Sequence, residues 1–273
     1  MTDALRRVDV MRVRAAARSR ARDVAAVEEP LEIRLQGEPF AVIMRTPGDD
    51  VALAAGFLLA ERVIAGAGDL TSIAPCRYAT GADEGNVLQV TLAPARAAAL
   101  PGLLASRRRI QMNASCGLCG RLTIASLRAD VPPLAAGWTM SAGVVAALPA
   151  RLRPAQAGFE ATGGLHAAAL FTPRGEMEAV AEDVGRHNAV DKVIGRRLLA
   201  AGLPLSSRAL MVSGRASFEI VQKALLAGIP LVAAVSAPSS LAIELAEESG
   251  ITLLGFVRGD AFNAYAHPER IAP

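Results

Sequence analysis

The chain has 273 residues and no long apolar run. Stretches such as GIPLVAAVSA stop at strand length on Gly, Pro or Ser, well short of the roughly 20 residues a bilayer span needs. No membrane crossing is expected. The N-terminus also lacks the apolar segment of a secretory signal. A cytoplasmic location is therefore expected, where a close cysteine pair serves catalysis or metal binding more often than structure. Histidine is scarce: His166, His187 and His267 stand far apart, and none supplies the second ligand cluster of a four-ligand zinc site. Net positive charge is missing from most of the chain. Residues 1 to 22 hold seven arginines (Arg6, Arg7, Arg12, Arg14, Arg18, Arg20, Arg22) against Asp3 and Asp9, so this arm is +5 and the remainder −2 of a net +3. A body without a basic field lacks the electrostatic footprint of a nucleic-acid binder.

What is present is a well-supplied core, at 52% hydrophobic residues, on a length that suits one large or two ordinary domains. Residues 1–28 read as a flexible, Arg-rich solvated arm; an anionic partner or an organellar transit peptide would fit the same composition. LEIRLQGEPFAVIMRT alternates about Gln36-Gly37 and predicts a hairpin from about Leu31 to Thr46. Helical spacing follows Asp49 or Asp50 as N-cap, with Gly56 marking close packing, and NVLQVTLA completes a small α+β domain over 29–110. Two prolines and a closing run of three arginines in APARAAALPGLLASRRR place the boundary at 93–109. From Met140 onward strand, Gly or Ser loop and helix alternate, the pattern of an α/β layer structure, so 111–273 forms the larger domain.

Two of its strand-to-helix turns, Ser213-Gly214-Arg215 and Ser236 to Ser240, lie where helix N-termini present free N–H groups that can hold a phosphate. Such turns also serve simply as caps. The cysteine pair lies just past the boundary, in NASCGLCG, as Cys116 and Cys119. Three chemistries compete for it. Zinc lacks further paired ligands; a thioredoxin-like dithiol commonly has Trp or Pro where Gly117-Leu118 stands; a thiolate nucleophile carrying sulfur is favoured if Arg107 to Arg109 and Arg121 approach it. Cys76 reads as an inert thiol, His166 as a core histidine, and Asp183, Arg186, His187, Asn188, Asp191 and Lys192 as a polar cluster too dense for a plain cap.

NASCGLCG, TGGLHAAALF, AEDVGRHNAVDKVIG, SGRASFEIVQKALLAGIP and GFVRG followed by FNAYAHPERI together resemble the formate dehydrogenase accessory sulfurtransferase family, FdhD, from about residue 30 to the end. The resemblance implies an α/β fold with a cytidine-deaminase-like domain over 111–273 that carries the C-x-x-C loop. It also implies a cytoplasmic homodimer that accepts sulfur from a cysteine desulfurase as a persulfide on Cys116. Cys119 would assist or be dispensable. That sulfur would pass to the bis-molybdopterin guanine dinucleotide form of the molybdenum cofactor, destined for formate dehydrogenase. The family's cofactor-binding segment matches Phe256, Val257, Arg258, Gly259, Asp260 and Ala261, and no metal is held directly by the protein. Phe256 or Phe262 would offer a stacking surface or pack in the core. Deaminase chemistry is disfavoured, since His166-Ala167-Ala168 lacks the Glu of H-x-E and Ser115 precedes Cys116 in place of Pro. A cofactor chaperone without sulfur transfer and a zinc-binding protein are the competing readings.

Overall fold

The computed structural model describes residues 4–15, 17–76, 85–105, 132–135 and 137–273. The chain opens with an antiparallel pair, β1 (Leu5–Arg14) and β2 (Ala17–Ala26), most of whose side chains are exposed. The expected solvated arm is thus a hairpin over residues 5–26. Val8 and Val10 alternate with Asp9 and Met11, a period-2 pattern that the arginines obscure in composition.

A four-stranded sheet follows, in the order β4-β3-β6-β5, from β3 (Glu29–Leu35), β4 (Glu38–Arg45), β5 (Leu70–Pro75) and β6 (Val87–Leu92). Gln36 and Gly37, both at positive φ, make the two-residue turn between β3 and β4 that the sequence predicts. Helix α1 (Asp50–Ala60), rich in Ala and Leu, packs on this sheet and is buried nearly all round. Asp49 occupies its N-cap position but sits in the left-handed region (φ 56°) and makes no side-chain cap bond; it pairs instead with Arg196. The boundary segment proves largely helical, as α2 (Pro94–Ala105). Pro94 initiates it, where a missing N–H costs nothing, and the alanines propagate it.

After β7 (Met140–Ser141), α3 (Ala142–Leu152) and α4 (Ala157–Thr162) comes the larger sheet. Its strands are β8 (His166–Phe171), β9 (Met177–Asp183), β10 (Ala209–Val212), β11 (Leu231–Ala234), β12 (Thr252–Arg258) and β13 (Ala261–Ala266), ordered β13-β12-β11-β10-β8-β9. Strands β10, β11 and β12 are parallel; β8, β9 and β13 run antiparallel to their neighbours. Helices α5 (Arg186–Ala201), α6 (Phe218–Ala227) and α7 (Ser240–Ser249) make the connections, and β14 (Ile271–Ala272) pairs with β7.

Strand alternation divides the core between two faces. Ala168, Leu170, Leu210, Val212, Val232 and Ala234 join one apolar cluster, whereas Ala167, Ala169, Phe171, Met211, Leu231 and Ala233 join another with Leu148 and Leu152 of α3. The first cluster continues without interruption into Leu31, Ile33 and Val90 of the smaller sheet and Leu58 of α1. The seam is a helix crossing of minimal separation. A Cβ on Gly56 would lie 2.0 Å from the Asp191 carbonyl oxygen, and one on Gly195 would lie 1.9 Å from that of Ala52, so α1 and α5 touch backbone to backbone.

Candidate functional site

Asp183 ends β9 in the core, with its carboxylate fully enclosed. It accepts from the backbone N–H groups of Gly185 (2.8 Å) and Thr46 (3.1 Å) and from Asn188 Nδ2 (2.9 Å), and it pairs with Lys192 Nζ at 2.7 Å. Lys192 also donates to the Thr46 carbonyl, and Asn188 to that of Met44. Asp191, one turn further, pairs with Lys223 of α6 at 2.6 Å. Burial pushes the Asp191 carboxyl up, against the pull of Lys223. The chain's two lysines are therefore both committed to interior ion pairs. Most of the polar block DVGRHNAVDK is a junction between the smaller sheet and α5, and Arg186 and His187 alone among its charged or titratable side chains remain for another use.

His187 Nε2 lies 2.7 Å from the Glu219 carboxylate and 3.2 Å from the Ser217 hydroxyl, both at the start of α6. A carboxylate only accepts, so this contact places a proton on Nε2. Glu219 and Ser217 are functional candidates that the sequence reading passes over; the acidic residue in the first helical turn of SGRASFE is the signal that could have found them. His166, expected in the core, instead starts β8 only partly buried, with its Nδ1 3.4 Å from where a Gly214 Cβ would be. Burial holds its ring below its ordinary value, and the Arg186 guanidinium, the His187 ring and the Arg215 guanidinium add to this against Asp183. The Nε of Arg186 is buried and has no hydrogen-bond partner among the described residues.

These groups share one edge of the sheet. β8 and β9 pair His166 with Asp183, and β10 ends alongside them, where the Ser213 hydroxyl accepts from Ala167 N–H. Both candidate phosphate turns lie here and are tied together: Ser236 N–H donates to the Gly214 carbonyl and Ser239 N–H to that of Ala216. They differ in chemistry. Helix α7 is capped by its own Ser239 hydroxyl, which takes the Ala242 N–H, whereas Ser217 gives α6 no such side-chain cap. The second turn is thus explained by capping, and in the first no side chain caps α6, whose Ile220 and Val221 N–H groups bond to the Ser217 carbonyl.

Phe256 joins the same edge through its N–H, 3.2 Å from the Ser236 carbonyl. It holds φ 54°, an unusual conformation for an aromatic residue, beside an irregularity in the β12–β13 register. Arg258 lies over its ring at 5.6 Å. Val257 is fully buried in the second core, so its side chain is turned from any ligand, while Gly259 (φ 62°), Asp260 and Ala261 form the exposed hairpin tip. Phe262 packs against the core; Phe256 does not. His267 is satisfied by Glu269 and the Glu247 carbonyl, and Cys76 is a partly exposed free thiol. Cys116 and Cys119, with Arg107 to Arg109 and Arg121, lie outside the described residues. No described helix is long and apolar enough to cross a membrane.

The architecture defines a mixed α/β protein with a cation-rich edge on its larger sheet. The chain belongs to the FdhD/NarQ family, whose model matches residues 26–272. It is 52% identical over 272 residues to the Sulfur carrier protein FdhD of Streptomyces avermitilis, covering 96% of this chain and 94% of that one. It is 51% identical over 257 residues to the protein of that name in Mycobacterium tuberculosis, with 91% and 92% covered. The fold is shared, at a TM-score of 0.78 and 24% identity, with a crystal structure of a protein assigned as a formate dehydrogenase accessory protein from Desulfotalea psychrophila, covering 98% of this chain and 100% of that one.

Proposed function

We propose that this chain is a sulfur carrier serving formate dehydrogenase. The observation that carries the reading is its 52% identity, over nearly its full length, to a protein named as a sulfur carrier. The chemical agent is Cys116. Its thiolate attacks the terminal sulfur of a persulfide on a cysteine desulfurase; a new S–S bond forms on Cys116 and the donor cysteine leaves as thiolate. Cys119 assists or is dispensable. The sulfur is then delivered to the bis-molybdopterin guanine dinucleotide cofactor, which is cargo here and not a resident group.

The sheet edge supports the cargo half of this reading. The cofactor's phosphates suit the uncapped N-terminus of α6 and the guanidinium groups of Arg186 and Arg215, while its rings suit the Phe256–Ala261 hairpin, where Phe256 offers a face outside the core. The protein is expected to act as a cytoplasmic homodimer without nucleic acid or membrane.

The test is intact-protein mass spectrometry after incubation with a cysteine desulfurase and cysteine. A gain of one sulfur atom, mapped to Cys116 and lost in Cys116→Ala, is expected. A chain that gains no sulfur yet binds guanine nucleotides is a cofactor escort only. Stoichiometric metal with both cysteines protected from alkylation makes it a zinc protein.

A further inference from the structure

His166 pairs with Asp183 across β8 and β9 and lies against Gly214, and the charges of Arg186, Arg215 and the His187 ring act on it; the carboxylates near them are already engaged. Asp183 is committed to Lys192 and Asn188, and Glu219 to His187. Among the described residues no ion pair involves Arg186 or Arg215, and the Arg186 Nε is enclosed without an acceptor. A buried guanidinium nitrogen left unsatisfied is costly, and a planar donor fork matches phosphate oxygens. The charge that is missing from this edge is an anion's.

We propose that a phosphate-bearing ligand, the diphosphate of a nucleotide, seats on Arg186 and Arg215 and that its arrival places a proton on the His166 ring. The groups facing that ring are Arg186 and His187 from α5, Arg215 from the β10–α6 turn and Asp183 from β9, with Glu219 of α6 reaching it only through His187. Without ligand, burial and this cationic company keep the imidazole neutral. A dianion cancels the repulsion, and the ring takes a proton from solvent, forming one N–H bond and supplying a further donor to the ligand. The ring's bound-state pKa therefore exceeds its free-state value. Affinity rises as pH falls through the bound value and levels off below the free one. The inference rests on the cargo half of the proposed function and is independent of sulfur transfer.

The experiment follows the His166 ring resonances of the full chain by NMR from about pH 5 to 8, with and without sodium sulfate, a tetrahedral dianion that does not itself titrate in that range. His166→Gln assigns the signal. Sulfate is expected to raise the His166 midpoint by about 1 unit, and the rise is expected to vanish in the Arg186→Met/Arg215→Met double variant. A midpoint indifferent to sulfate overturns the inference, as does a rise that survives loss of both arginines. The first comparison uses only the unmodified protein, so a poorly folding variant does not spare it. GDP and inorganic pyrophosphate then separate the sources of the anion: tighter binding of GDP is expected, and equal affinity overturns the nucleotide assignment. Sulfur loading is read separately by mass. A chain that loads Cys116 without a His166 response keeps the carrier reading and loses this one, and the converse holds.

Discussion

The α carbon of Gly56 on α1 faces the Asp191 carbonyl of α5 so closely that a methyl group there would lie 2.0 Å from the oxygen. The neighbour is backbone, which cannot swing aside as a side chain tip does. Gly56→Ala is therefore expected to push the two helices apart and to cost about 3 kcal/mol or more, read as a lowered midpoint in denaturant. Gly195→Ala, whose Cβ would meet the Ala52 carbonyl at 1.9 Å, is expected to do the same.

Asp183 and Lys192 pose the electrostatic counterpart. The pair is buried, and each member also holds backbone or amide groups of the smaller sheet's edge. Lys192→Met leaves a carboxylate in the core and is expected to cost about 3–5 kcal/mol. Asp183→Asn is expected to do comparable damage, since the amide replaces one of the two oxygens that accept from the Gly185 and Thr46 N–H groups with a donor and removes the charge opposite Lys192. Thermal unfolding of the two single variants and the double variant measures the coupling.

How far the sequence reveals these features depends on how local the signal is. The hairpin at Gln36-Gly37 and the strand–helix alternation after His166 are legible because turn chemistry and periodicity act over a few residues. Gly56 betrays close packing by standing in an otherwise good helix. The division of DVGRHNAVDK is not legible, since Asp183 and Lys192 are satisfied by Thr46, more than a hundred residues away. The helix over Pro94–Ala105 is hidden when proline is read as a breaker, because Pro94 starts the helix. The apolar strand around His166 predicts a core position for it, but the strand's first residue faces the site.

Asp191 bears on the response to acid. Burial raises its carboxyl above the ordinary 3.8 despite Lys223, so between that value and the folded-state value the unfolded chain is ionised while the folded chain holds the proton. Folding then takes up a proton, and this group's contribution to stability rises as pH falls through the window. Asp191→Asn/Lys223→Met is expected to remove that rise and to be near neutral in stability at pH 7, because an interior ion pair replaced by neutral groups loses its desolvation penalty along with its attraction. Lys223→Met alone is expected to be strongly destabilising. Urea midpoints across the acid range separate the three proteins.

The hairpin of β1 and β2 is tied down at its base, by Val27 N–H to the Ala4 carbonyl, by packing of β2 against α4 and by an exposed contact between Arg6 and Glu29. Its Arg22–Asp9 pair is almost fully solvated. Such pairs contribute little, and a lone two-stranded ribbon is marginal by itself. Removing residues 1 to 22 is expected to change unfolding free energy by about 1 kcal/mol or less. The same truncation takes the net charge from +3 to −2, so the protein should move from cation-exchange to anion-exchange resin at pH 7.

Phe256 and Phe262, six residues apart on one hairpin, should respond oppositely to substitution. Phe262 packs against the core, and Phe262→Ala is expected to cost about 2–3 kcal/mol, a partly buried share of a core phenylalanine's truncation cost. Phe256 holds a left-handed backbone that glycine adopts freely, and its ring lies outside the core beneath Arg258. Phe256→Gly should therefore leave the melting temperature unchanged or raised, since relief of backbone strain worth about 1–3 kcal/mol offsets the missing attraction between the ring and the Arg258 guanidinium. If the ring is a stacking surface for the nucleotide base, affinity for GDP should drop about tenfold in the same protein, the loss expected for one base–aromatic stack. Calorimetric titration beside a thermal melt reads both quantities. A variant that melts lower and binds GDP as before would make Phe256 a packing residue and remove it from the proposed cofactor surface.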